Sequence, residues 1–223
     1  MTQQSTISLF EKIAVIIMAL ITLIGVYLAW IAPVYLEQEM LKEDGWIENL
    51  TALVLFASAI LLFARLWRGR SNGWKFMVVT GLGGLAFLFV AGEEVSWGQR
   101  MFGIESSEFF EKNNAQAETN LHNLEFGGVK INKLIFGQLL TVMIIFYIII
   151  WPLSYRFSTW VKKVTTQLFV PLPRLYHSIA YLLIMGAVMA ISSSKRWELL
   201  EFDSAIIFFL ILFNPLNREI FTK

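Results

Sequence analysis

Six runs of apolar residues dominate this chain, at roughly 13–36, 47–67, 74–92, 131–152, 174–192 and 199–214 by the length rule for spanning helices. Runs of this length constrain the fold more than any other feature. In hydrocarbon a backbone must satisfy its own hydrogen bonds, so each run is expected as a helix. The expected fold class is therefore all-α: an integral membrane bundle of about six transmembrane helices, in a single domain over residues 1–223. A composition of 57% hydrophobic and 16% charged residues excludes an ordinary soluble domain.

The connections between the runs alternate in charge. Arg65, Arg68, Arg70 and Lys75 separate the second and third runs, and Arg156, Lys162, Lys163 and Arg174 separate the fourth and fifth. The positive-inside rule makes both connections cytoplasmic, which also places both termini inside. The inner side then carries eleven basic residues against Glu11 and Glu219, and the outer side seven basic against fifteen acidic residues. A net charge of +1 conceals this division. Trp30, Trp46, Trp97 and Trp197 fall near the outer boundary, and Trp67, Trp74, Trp151 and Trp160 near the inner one, as an interfacial aromatic belt requires. The first run has too long an apolar core, and no small-residue cleavage site after it, to be a removable signal peptide. Cysteine is absent, which excludes disulfides and thiolate metal sites.

The outer connection at about 93–130 is too long for a passive turn and is expected to be ordered. Ser106 and Ser107, followed by Glu108 and Glu111, predict a helix start, with Gly127 and Gly128 ending that helix. Were the chain helical through 118–122, Glu118 and His122 would share a face. In the third run Gly81, Gly83 and Gly84 would let a neighbouring helix approach closely. Asp44 and Gly45 are expected to open the second helix.

The acids gather at outer helix ends: Glu48, Glu93, Glu94 and Glu201, with Glu118, His122 and Arg100 in the long connection. Three chemistries fit them. A divalent metal would take Glu48, Glu93, Glu118, His122 and Glu201 as candidate ligands, with His122 the single imidazole on that side. General acid–base catalysis would use Glu93, Glu94, His122 and Arg100, because neighbouring carboxylates split their proton affinities. A structural ion-pair network would set Arg100 against Glu93 or Glu94. His177 lies at the inner end of the fifth run, too far away to join the group, and is expected at the interface.

The segment Gly92-Glu93-Glu94-Val95-Ser96-Trp97-Gly98-Gln99-Arg100, with Asn120-Leu121-His122-Asn123 after it, resembles a family of uncharacterised bacterial multi-pass membrane proteins, as does Glu43-Asp44-Gly45 with Glu48. That resemblance spans the second to fourth runs and implies the bacterial inner membrane but no activity. The segment Asp44-Gly45-Trp46-Ile47-Glu48-Asn49 also resembles a calcium-binding segment of the alkaline ceramidases, seven-helix amide hydrolases. It implies Asp44, Trp46, Glu48 and Asn49 as calcium ligands, but Gly45 interrupts the family spacing and the zinc-binding histidines are missing. The expected function is an outward-facing carboxylate–histidine site, metal-dependent or not, acting on a lipid or lipid-linked substrate. Membrane lipids are the expected partners, and nucleic acid is not. The alternatives are a small cation- or proton-coupled transporter and a non-catalytic assembly protein that uses the long outer connection as its binding surface.

Overall fold

The computed structural model describes residues 6–121, 123–126, 129–130 and 139–221. Helices dominate: α1 (Leu9–Ile31), α2 (Pro33–Tyr35), α3 (Trp46–Arg68), α4 (Trp74–Glu94), α5 (Gln99–Phe102), α6 (Glu108–Asn113), α7 (Leu140–Ile145), α8 (Trp151–Phe157), α9 (Thr159–Gln167), α10 (Leu175–Met189) and α11 (Arg196–Phe213). One small hairpin pairs β1 (Glu125–Phe126) with β2 (Val129–Lys130), Glu125 opposite Lys130.

Three helices are long and apolar enough to cross a membrane: α1, α3 and α4. A fourth crossing is available if Thr141–Phe157 and Thr159–Gln167, bent by 118° at Ser158, form one broken span. The first half of the fourth apolar run, residues 131–138, lies outside the described residues. The fifth run forms α10, whose 15 residues rise only about 22 Å, short of the roughly 30 Å hydrocarbon layer. The sixth forms α11, which reaches back to Arg196 and so takes Glu198, Glu201 and Asp203 into its first turns.

Local chemistry explains the helix ends. Ser8 caps α1 in a reciprocal box: its Oγ accepts from Glu11 N at 3.2 Å while Glu11 Oε2 accepts from Ser8 N at 2.7 Å. Pro33 stops α1 and opens α2, which runs on as a π turn through Leu36–Met40. Gly45, not Asp44, is the N-cap of α3; Asp44 sits at φ 65°, and its amide donates to Glu48.

The core is built around α11, which packs on α3, α10 and α1. Leu199, Ile207, Leu210 and Ile211 of α11 are wholly buried with Met18, Tyr181 and Val188. The α3–α4 hairpin closes tightly at Gly84, where a Cβ would come within 2.8 Å of the Phe63 ring. That is the close approach expected of the third run. Large apolar side chains face outward along the helices, among them Leu20, Leu23, Leu53, Ile60, Leu82 and Leu183. So broad an apolar surface matches lipid rather than water. Trp30, Trp67, Trp74 and Trp160 are also exposed, at helix ends as an interfacial belt requires.

Candidate functional site

At the end of α4 the helix unwinds through three consecutive left-handed residues, Ser96 (φ 45°), Trp97 (φ 55°) and Gly98 (φ 75°). Two of these are not glycine, and such a conformation costs of order 1–3 kcal/mol each unless its surroundings hold it. The surroundings do hold it. Trp97 folds back on α4, where its ring lies against Gly92; a Cβ there would meet the ring at 2.8 Å. Its indole Nε1 donates to Glu93 Oε1 at 2.8 Å. The other oxygen of Glu93 accepts from Leu121 N at 2.5 Å, which ties the far end of the outer segment to α4.

The remaining polar residues of this stretch act the same way. Ser96 Oγ donates to Glu118 Oε2 at 2.6 Å and accepts from Asn120 Nδ2 at 2.9 Å. Gln99 joins Ser106 Oγ (2.6 Å) to Thr119 N (2.7 Å). Arg100 holds both carboxylate oxygens of Glu118 and also reaches Asp44, so it links the outer segment to the start of α3. The ion pair expected between Arg100 and Glu93 or Glu94 thus forms with Glu118 and Asp44 instead. After the left-handed turn Arg100 lies between Glu118 and Asp44, at the start of α3.

The described part of the 93–130 connection is not the long helix expected of it. Ser107 stands at the N-cap position of α6 without a side-chain capping bond, and α6 ends at Asn113. Asn114 accepts from Gln116 N and Glu118 N with its Oδ1, and its Nδ2 donates to Asn120. That side chain competes with the helical pattern and turns the chain. Glu118 therefore lies in a non-helical bend, and the helical face it was expected to share with His122 does not form. His122 lies outside the described residues, as do Gly127 and Gly128.

Glu94 differs from its neighbour. About 100° separates successive residues on a helix, and Glu94 turns away from the outer segment. It lines two cavities. One, about 200 Å³, is lined by Asp44, Glu48, Asn49, Val95, Arg100 and Met101 as well. The other, about 300 Å³, lies between α3, α4, α7, α10 and α11 and is walled by Leu55, Phe87, Val90, Ile144 and Phe208. Glu201 and Tyr181 line this second cavity too. Neither Glu94 nor Glu201 has a hydrogen-bond or ion-pair partner among the described residues. Glu48, Glu94, Glu198 and Glu201 are neighbours at this end of the bundle, Glu48 buried, Glu94 and Glu198 half-buried and Glu201 exposed.

The candidate site residues therefore divide. Glu48, Glu94 and Glu201 come together around the cavities. Glu93, Glu118 and Arg100 are engaged in holding the outer segment. Among the described residues, no three Asp, Glu or His side chains are gathered closely enough to hold a metal ion. The metal set expected from sequence included His122, which lies outside those residues.

Two buried polar groups escaped the sequence reading. Asp203, wholly buried in α11, accepts from Thr22 of α1 at 3.0 and 3.1 Å. Glu11, also wholly buried, accepts from Tyr176 and from Asn214 Nδ2 at 2.8 and 3.0 Å. Each bond spans more than 160 residues of sequence, so no local pattern announces it. His177, in the first turn of α10, is fully buried, and its Nδ1 accepts from Arg174 N at 3.1 Å. Comparison with protein-family models, curated proteins and solved structures finds no match for this chain, so the site is read from its own geometry.

Proposed function

We propose that the protein is a multi-pass membrane protein of the bacterial inner membrane whose outward-facing carboxylates, centred on Glu94 and Glu201, act on a lipid or lipid-linked substrate. One observation carries this reading: two carboxylates without hydrogen-bond partners among the described residues share a cavity whose other walls are mostly apolar. Ionisable groups among membrane helices mark functional sites by default. An apolar chamber with a polar end fits an amphipathic substrate. Two neighbouring carboxylates supply a proton acceptor and, when one is protonated, a proton donor.

In this reading the chain crosses the membrane six times with both termini cytoplasmic. α10 and α11 complete the bundle although one is short and the other polar at its outer end. The resemblance of the stretch from Gly92 to Arg100 to bacterial multi-pass proteins points the same way. The test is turnover. Protein reconstituted with a bacterial lipid extract should change the abundance of one lipid species, read by mass spectrometry, and Glu94→Gln should abolish the change. Equal turnover by wild type and by the Glu94→Gln and Glu201→Gln variants would overturn the proposal.

Transport is the second reading, favoured by the buried Asp203–Thr22 pair below Glu201. It requires proteoliposome flux that Asp203→Asn removes.

A further inference from the structure

The chain turns sharply aside after the fourth apolar run. Thr141–Phe157 rises about 26 Å, most of a roughly 30 Å hydrocarbon layer, before the 118° bend at Ser158 leads into α9. With the first helix upright, 118° less 90° leaves α9 about 28° from the membrane plane. Its composition bars it from hydrocarbon, because Lys162 and Lys163 stand side by side among Thr159, Thr165, Thr166 and Gln167. The bend is held at both ends. Ser158 Oγ caps α9 by accepting from Val161 N at 3.3 Å, and Trp151 Nε1 donates to Thr165 Oγ1 at 3.1 Å, which ties α9 to α8.

At about 100° per residue α9 has three faces. Val161 and Thr165 are buried against the bundle. Beside them Trp160 and Val164, with Leu168 just past the helix end, form an apolar stripe. Trp160 is 67% exposed, and Phe157 before the bend 79%. The remaining face carries Lys162, Lys163, Thr166 and Gln167, all exposed. An apolar stripe beside a cationic face is the pattern of a helix lying in a membrane interface.

The level of α9 in the bundle agrees. Phe169, just after α9, meets Phe76 at the start of α4 with ring centroids 5.1 Å apart. α9 is therefore level with the α3–α4 turn, where Trp67 and Trp74 are exposed beside Arg68, Arg70 and Lys75. Arg156, Lys162 and Lys163 are exposed, and no carboxylate forms an ion pair with them among the described residues. Glu219 comes near Tyr155 and still leaves the patch cationic. Unpaired cations beside exposed rings complement phospholipid phosphates.

We infer that α9 is a membrane-surface helix that docks on anionic phospholipid, with Trp160 and Leu168 turned toward the acyl chains and Arg156, Lys162 and Lys163 on the phosphates. Thr141–Phe157 is then a crossing of its own, and α9 is no part of it. A bilayer fits this face better than a protein partner because the stripe follows Leu153 and Phe157, already exposed on the membrane-crossing helix. The inference rests on the membrane reading above and not on the carboxylate site, so its test reads no turnover.

The test uses the full chain, which has no cysteine, in nanodiscs of phosphatidylcholine with and without phosphatidylglycerol. Spin labels are attached through Val164→Cys, Leu168→Cys, Lys163→Cys and Thr166→Cys, one at a time. Each is compared for collision with oxygen, which concentrates in lipid, and with a water-soluble nickel chelate. Oxygen should dominate at the first two positions and the chelate at the last two. Chelate dominance at all four would overturn the inference and leave the stripe to a protein partner. Oxygen dominance at all four would place α9 inside the bilayer and overturn it equally. Hydrogen–deuterium exchange over α9 should slow about fivefold or more when phosphatidylglycerol is present. The Arg156→Gln/Lys162→Gln/Lys163→Gln variant should lose that response. If that variant is not monodisperse, high salt should remove the response from the wild type, because it screens surface charge. Equal exchange of the wild type in both lipids would overturn the anionic assignment.

Discussion

Glu93 and Glu94 are neighbours in sequence, and the structure gives them opposite work, so exchanging each for glutamine should give opposite results. Glu93 accepts two hydrogen bonds, from Trp97 Nε1 at 2.8 Å and Leu121 N at 2.5 Å. Glutamine keeps one acceptor and turns an NH2 group toward the other donor. At least one charge-assisted bond is lost, worth about 1.5–3 kcal/mol. The loss is local, because these bonds tie the outer segment to α4 and not the helices to each other. It should therefore appear as easier opening around Leu121. At about 1.4 kcal/mol per factor of ten, amide exchange there should accelerate roughly ten- to hundred-fold. Hydrogen–deuterium exchange with peptide-level mass spectrometry reads this directly. Glu94→Gln removes no hydrogen bond and should leave exchange at Leu121 unchanged while abolishing lipid turnover. Unchanged exchange in Glu93→Gln, or acceleration of similar size in both variants, would refute the division of labour.

Other outcomes follow from the same packing. Gly92→Ala places a methyl group against the Trp97 ring, which must shift; overpacking of this kind costs about 1–3 kcal/mol, measurable as a lower melting temperature and altered tryptophan emission. Glu11→Ala leaves the buried Asn214 amide and the half-buried Tyr176 hydroxyl without this acceptor and should destabilise the protein by about 1–3 kcal/mol, read by thermal melting in detergent. The chain has no cysteine, so single introduced cysteines report sidedness cleanly. Lys112→Cys in α6 should react with a membrane-impermeant thiol reagent added outside cells, and Ser71→Cys in the α3–α4 turn should not. The reverse pattern would invert the topology.

Much of the fold was legible because hydrocarbon leaves few choices. The first three apolar runs became α1, α3 and α4 with small shifts of boundary. The last two are harder to read: α10 is short, and α11 carries its acids inside the helix, where a hydropathy window cannot separate a polar helix end from a loop. The outer segment diverged for a local reason, since a single Asn114 side chain can end a helix that the surrounding residues would continue. The site was half legible. That acids gather at outer helix ends is visible in sequence, and Glu48, Glu94 and Glu201 do approach one another. Which carboxylates are spent on structure was not visible. That depends on the left-handed turn at Ser96–Gly98, which redirects Arg100, and on the rotation between Glu93 and Glu94. The pairs Thr22–Asp203 and Glu11–Asn214 depend on tertiary packing alone.

The measurement that bears most directly on the central claim is the lipid retained by the purified protein, quantified by mass spectrometry for the wild type and the Glu94→Gln/Glu201→Gln double variant. The account predicts a near-stoichiometric lipid in the wild type that the double variant loses while remaining folded and monodisperse. The same lipid at the same stoichiometry in both proteins would contradict it.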